Sequence, residues 1–166
     1  MTVCGQSPGY GKAKCFMRRK DREIKDPQVL ASVIRSSTVC RLGMSDDGQP
    51  YVIPMSFGYR NGALYFHSAS EGRKIDILRK NPRVCIEFDA DCRLKTGDGP
   101  CNWGFSYQSV TAFGVAAFVE DAAEKRAALD IIMSQYSDRA FIYPESTVAK
   151  ILVIKVSVTE LTGKSA

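Results

Sequence analysis

Apolar and polar residues change period several times along the chain, and each change marks an element. Val29, Leu30, Val33 and Ile34 share one face at helical spacing. Asp26-Pro27 precedes them as an N-cap followed by a proline at the first helical position, so a helix starts there and needs an apolar surface to pack on. Residues 38–44 (TVCRLGM) read as a strand, and Asp46-Asp47-Gly48 as a hairpin turn. Val52, Ile53, Met55 and Phe57 form the next strand, interrupted by Pro54. Asn61-Gly62 is the strongest short hairpin signal in the sequence, and residues 63–67 return from it. A helix over about residues 71–80 stops at Asn81-Pro82.

The second half is richer in strand. Residues 83–89 (RVCIEFD) alternate, residues 90–102 read as a polar loop, and residues 103–120 as one long strand in which Gly114 suggests a bulge or bend. Asp121 and Glu124 form a capping box, opening a helix with Leu129, Ile132, Met133 and Tyr136 at helical spacing. Residues 151–158 form a last strand. Strands outnumber helices and follow one another through tight turns. That predicts a mainly β fold, an antiparallel β-barrel with peripheral helices. A doubly wound α/β sheet needs a regular strand–helix alternation that is absent.

Composition adds bounds rather than direction. With 166 residues, 45% hydrophobic and 25% charged, the chain suits one soluble domain over residues 17–166, behind an extension at residues 1–16. Six cysteines, at 4, 15, 40, 85, 92 and 101, contain no C-x-x-C pair, and the N-terminus has no apolar signal region. Free thiols in a reducing cytoplasm are the expectation. A zinc site from Cys85, Cys92, Cys101 and His67 has no recognised ligand spacing, so no metal is expected. No apolar run reaches the length of a membrane span. The net charge of +5 includes Lys12, Lys14, Arg18, Arg19, Lys20 and Arg22, but Asp21, Glu23 and Asp26 dilute that cluster and aromatic interleaving is thin. A solvated segment, or one docking on a partner subunit, fits better than a nucleic-acid arm; neither nucleic acid nor membrane is an expected partner.

One place concentrates chemistry. Gly72, Arg73 and Lys74 fall at the start of the 71–80 helix, where free N–H groups, the helix dipole and two cations converge on an anion such as a cofactor phosphate. Arg offers a planar fork, Lys a point charge, and Gly lets a backbone approach closely. The alternative is a helix start with two solvated cations. His67, the single histidine, lies just upstream. It is either a polar strand end or a group that bonds a cofactor, donates a proton near neutral pH or ligates iron. Pro54 removes one ladder donor, which suits a ligand along a strand edge or simply an edge strand. Tyr107, Ser109 and Thr111 share one face of the long strand and could meet phosphate or water. No dinucleotide glycine motif, P-loop or nucleophile elbow is present.

Several blocks together resemble a known family: MRRKDREI (17–24), CRLGM (40–44), PYVIPMSFGY (50–59), LYFHSASEGRKIDILRKNPRVCIEFD (64–89), YQSVTAFGVAAFVEDAAEKRAALDIIM (107–133) and VIKVSVTELTGK (153–164). They are similar to the nitroimidazole-resistance (Nim) branch of the pyridoxamine 5'-phosphate oxidase-like, FMN-binding split-barrel superfamily. The resemblance implies a homodimer with FMN in a cleft between subunits. It implies that Arg73 and Lys74, with Gly72, hold the FMN phosphate, and that Pro54, Met55, Ser56 and Phe57 line the isoalloxazine. His67 and Ser68 would lie beside the cofactor, Tyr107 and Ser109 would reach it from the long strand, and Trp103 would close the pocket. His67 is then the residue expected to be catalytic, orienting a small-molecule acceptor or giving it a proton. The activity implied is that of an FMN-dependent oxidoreductase acting on nitroaromatic (5-nitroimidazole) or similar acceptors. A non-catalytic flavin- or haem-binding protein is the competing expectation, with His67 as iron ligand, and a true pyridoxamine phosphate oxidase ranks below both. Fold alone does not choose among them.

Overall fold

Two left-handed turns set the first half of the sheet. Asp47 and Gly48 have φ of 50° and 90°, and Asn61 and Gly62 have φ of 51° and 72°, so both sequence-predicted turns close two-residue hairpins. The computed structural model describes residues 18–166. The expected extension over residues 1–16, with Cys4, Cys15, Lys12 and Lys14, lies outside the described residues. The elements are β1 (Glu23–Ile24), α1 (Pro27–Ser36), β2 (Cys40–Asp46), β3 (Gln49–Met55), β4 (Gly58–Arg60), β5 (Ala63–Ala69), α2 (Arg73–Lys80), β6 (Arg83–Lys95), β7 (Gly104–Val119), α3 (Ala122–Ser134), α4 (Glu145–Lys150) and β8 (Ile151–Ser165).

The strands form one antiparallel sheet in the order β3-β2-β6-β7-β8-β5-β4, with β1 also paired to β8. Its two outer strands, β3 and β4, are consecutive in the chain and joined only by Ser56 and Phe57. A sheet whose opposite edges are two residues apart must curl until those edges meet, which makes a barrel with one unpaired seam. This is a split barrel, and β3 is a true sheet edge, where Pro54 costs no ladder bond to a further strand.

Side chains alternate across the wall of the barrel. Leu42, Phe57, Leu64, Phe66, Ile86, Phe88, Val110 and Ile154 fill the inside, each fully buried, with the Phe57 and Phe88 rings edge-on at 4.9 Å. Asp26 caps α1 by accepting from the Gln28 N–H at 2.8 Å, and Leu30, Val33 and Ile34 plug onto this core while Val29 stays at the rim. Asp121 caps α3 by accepting from the Glu124 N–H at 2.8 Å. That helix and α4 lie on the outer face of the sheet, burying Ala128 with Val119 and Val153, and Leu129 and Ile132 with Val148. Full burial of one Phe or Leu contributes about 1.5–3 kcal/mol. An exposed ion pair contributes about 0–1 kcal/mol, so the barrel interior dominates the fold.

The structure departs from the sequence-based expectation in several places. The strand expected through Phe57 ends at Met55. Residues 90–102 are not all loop: a bulge between Ala90 and Arg93, with Asp91 at φ 54°, lets β6 continue to Lys95 and pair with the start of β7 as a projecting arm. The last strand continues past residue 158 to Ser165, because the register shift at Phe113/Gly114 places Thr159 as the extra residue and pairing resumes at Glu160. The short elements β1 and α4 were not anticipated. Among the described residues no helix is long and apolar enough to cross a membrane.

Candidate cofactor site

The seat at the start of α2 follows from its local chain. Gly72 is the N-cap, at φ 117°, a conformation that side chains rarely adopt, and a Cβ built there would meet nothing within 4 Å. No side chain among the described residues caps this helix. Ile75 and Asp76 N–H both return to the Gly72 carbonyl, at 2.8 and 3.2 Å, while the N–H groups of Arg73 and Lys74 have no partner among the described residues. Two open donors thus point out of a positive helix end.

The two cations of the seat are held differently. The Arg73 guanidinium stacks over the Tyr51 ring at 4.6 Å and lies 3.8 Å from Asp46, whose carboxylate also meets Lys80 at 3.6 Å. That keeps the Arg73 fork extended but exposed. Lys74 is half-buried, and its Nζ lies 3.6 Å from Met55 Sδ, a weak acceptor. Burial lowers the Lys74 ammonium from the ordinary lysine range, with no carboxylate among the described residues to offset it. A desolvated cation against a thioether, beside two open N–H donors and a free guanidinium edge, fits a phosphate monoester in charge, donor count and placement. The sequence marks Asp46 only as a turn residue and links neither it nor Tyr51 to the seat, since each reaches Arg73 only through the β2–β3 hairpin.

Met55 leads from the seat into the seam. Pro54 and Ser56 are exposed, but Phe57 is wholly buried and its N–H already donates to Tyr136 Oη at 2.8 Å. The spacing marks Tyr136 only as an apolar helix position, but α3 ends at Ser134 and Tyr136 lies in the turn beyond it, where no local signal marks its hydroxyl. Burial raises this phenol above the ordinary tyrosine range, partly offset by the Phe57 N–H bond. His67 and Ser68 end β5 and point to opposite faces: Ser68 is buried on the inner side, while His67 is exposed on the outer side with Tyr65. The His67 imidazole has no hydrogen-bond partner among the described residues.

Three expected residues do not join the seat within one chain. Tyr107 and Ser109 lie on β7, which β2 and β6 separate from β3, three strand spacings or about 14 Å along the sheet. Tyr107 lies under Lys164, 5.5 Å from the ring centroid. Trp103 sits at the tip of the β6–β7 arm, 53% exposed, its Nε1–H donating to the Gly97 carbonyl at 2.8 Å. Nor do Cys85, Cys92, Cys101 and His67 gather: none of Cys40, Cys85, Cys92 and Cys101 forms a disulfide, and no group of three or more potential metal ligands comes together among the described residues.

Comparison with known proteins agrees with this fold. A solved structure of a candidate 5-nitroimidazole antibiotic resistance protein from Bacteroides thetaiotaomicron is 41% identical and superposes with a TM-score of 0.79 over 86% of each chain. A FAD- and haem-binding protein of Mycobacterium smegmatis shares the fold at TM-score 0.79, covering 87% of this chain and 73% of the other, with 16% identity. An uncharacterized protein of Rhizobium meliloti (strain 1021) is 34% identical over 56 residues, a match spanning 34% of this chain and 36% of that relative. The sequence model of the pyridoxamine 5'-phosphate oxidase family matches residues 26–165, and with the split barrel in place the chain belongs to that pyridoxamine 5'-phosphate oxidase-like family.

Proposed function

We propose that this chain is an FMN-dependent oxidoreductase of the nitroimidazole-resistance kind, acting as a cytoplasmic homodimer on small acceptors such as nitroaromatic compounds. The observation that carries the reading is Lys74, a half-buried ammonium with a thioether for its polar contact at the open end of α2. The FMN phosphate would take the Arg73 and Lys74 N–H groups and both side-chain cations, with Gly72 leaving the approach clear. Pro54, Met55 and Ser56 would border the isoalloxazine along the seam with the buried Phe57 behind them, and Ser68 would close the inner side of β5. Bound FMN supplies electron transfer to the acceptor. The His67 imidazole, without a hydrogen-bond partner among the described residues, would orient that acceptor or give it a proton.

The homodimer reading rests on what one chain leaves undone. Leu94, Trp103 and Phe105 are each more than half exposed on the β6–β7 arm, an apolar surface that suits a second copy. The arm of that copy, with Trp103, Tyr107 and Ser109, is then the means of completing the pocket. His67 favours one further reading, haem binding with the imidazole as iron ligand, the cofactor class of the Mycobacterium smegmatis relative.

An absorption spectrum of the purified protein, with identification of the small molecule released by mild denaturation, separates these readings. The expected result is a two-banded flavin spectrum with FMN in the extract. A single intense Soret band assigns His67 to iron, and a colourless protein that refuses added flavin removes both. With FMN bound, His67→Ala is expected to lose most turnover toward a nitroaromatic acceptor, and full turnover would end the catalytic role of His67.

A further inference from the structure

The two-residue link across the seam is fixed from the protein side at three points. The buried Cys40 Sγ donates to the Met55 carbonyl at 3.5 Å. The Phe57 N–H donates to Tyr136 Oη at 2.8 Å, while its ring packs on Phe88. Gly58 lies so close to α3 that a Cβ there would stand 2.5 Å from the Ile131 carbonyl oxygen and 2.6 Å from the Ile132 nitrogen. Between these points Ser56 is exposed, and its polar groups have no hydrogen-bond partner among the described residues. The turn that carries Tyr136 is itself braced. Its N–H donates to the Met133 carbonyl at 2.9 Å, and the Gln135 side-chain amide donates to the carbonyls of Arg35 at 2.8 Å and Ser37 at 3.0 Å, next to the start of β2.

We propose that Tyr136 is a positioning residue for the flavin ring: by holding the Phe57 N–H, its hydroxyl turns Ser56 outward and fixes the backbone on which the edge of the isoalloxazine rests. This deepens the flavin reading and depends on it. A hydroxyl accepts from a backbone N–H and still has a proton of its own to place, which an apolar side chain cannot do. Replacing Tyr136 by Phe keeps the ring but leaves a partly buried N–H without an acceptor, an unfavourable state. The link relaxes until that N–H finds water or another oxygen, and Ser56 moves with it. Residues of the seat are untouched, so the loss falls on the ring end of the ligand alone.

The test is titration of Tyr136→Phe with FMN and with riboflavin, alongside the melting temperature and the visible spectrum of bound flavin. Both affinities are expected to fall alike, by about tenfold, and the flavin bands to shift. Leu129→Ala, which thins the packing of α3, the helix before that turn, against Val148 of α4, is the control for general destabilisation: it lowers the melting temperature but keeps the wild-type flavin spectrum. Wild-type affinities and spectrum in Tyr136→Phe overturn the inference, as does a loss confined to FMN, or an equal loss and shift in Leu129→Ala. If Tyr136→Phe does not fold, Gln135→Ala loosens the same turn with the hydroxyl retained; a smaller loss, about threefold and equal for both flavins, supports the inference, and no loss overturns it. A wild-type protein that binds neither flavin ends the flavin reading itself, whereas wild-type binding with unchanged Tyr136→Phe ends this inference alone.

Discussion

The start of α2 and the β3–β4 link present the two ends of one candidate site, and they are built in opposite ways. At α2 three consecutive residues, Gly72, Arg73 and Lys74, bring the N–H donors and the charge, and the rest of the protein only steers the cations through Tyr51, Asp46 and Met55. At the link the exposed residue, Ser56, brings little itself. Its placement comes from Cys40 on one side and from Tyr136 and Gly58 on the other, and Tyr136 is 79 residues from Phe57 in sequence. A helix end offers charge wherever it is placed. A backbone ledge has a shape only while tertiary contacts hold it. The phosphate end should therefore respond to local charge and the ring end to distant packing.

The sharpest separation comes from Arg73→Ala/Lys74→Ala. Each charge-assisted bond is worth about 1.5–3 kcal/mol, so losing both should weaken FMN by about a hundredfold or more and leave riboflavin nearly unchanged, as read by calorimetric titration. Gly58→Ala should break the other end. Its methyl must push α3 off the seam, costing about 1–3 kcal/mol in denaturant unfolding and weakening FMN and riboflavin together. Lys74→Met sharpens the contrast further. FMN affinity should fall by at least about tenfold, while the flavin-free protein keeps or raises its melting temperature, because a desolvated ammonium is removed.

The sign of the pH dependence follows from the same group. A lysine whose ammonium is lowered by burial sheds its proton in the folded protein at lower pH than in the unfolded chain. Its cost to the flavin-free fold is thus present at neutral pH and fades as pH rises toward the ordinary lysine range. FMN affinity should decline over that window, and riboflavin affinity should not. The smallest effect is at Cys40, where burial pushes the thiol up to about 12. At pH 8 a thiol reagent should label the exposed Cys92 and Cys101 in the native protein and reach Cys40 only after unfolding.

Legibility in the sequence divides along the same line. Both hairpins were readable because Asp47-Gly48 and Asn61-Gly62 need positive φ, and the seat was readable because helix ends are local. From the turns alone the strand–turn succession pointed to a barrel, and the seam follows once β3 and β4 are seen to be outer strands of one sheet. Asp91 hid the continuation of β6, since a bulge breaks the alternation that reveals a strand. Tyr136 was legible only as a helix position, because its hydroxyl finds the Phe57 N–H through packing. Trp103, Tyr107 and Ser109 entered by family resemblance, and their place on the arm and on β7 explains why spacing could not link them to Lys74.

The most direct measurement is calorimetric titration of the wild-type protein with FMN and with riboflavin under identical conditions. If Arg73, Lys74 and the open end of α2 grip the phosphate, FMN binds tighter by about a hundredfold or more. Equal affinities would contradict the account and place the phosphate away from α2.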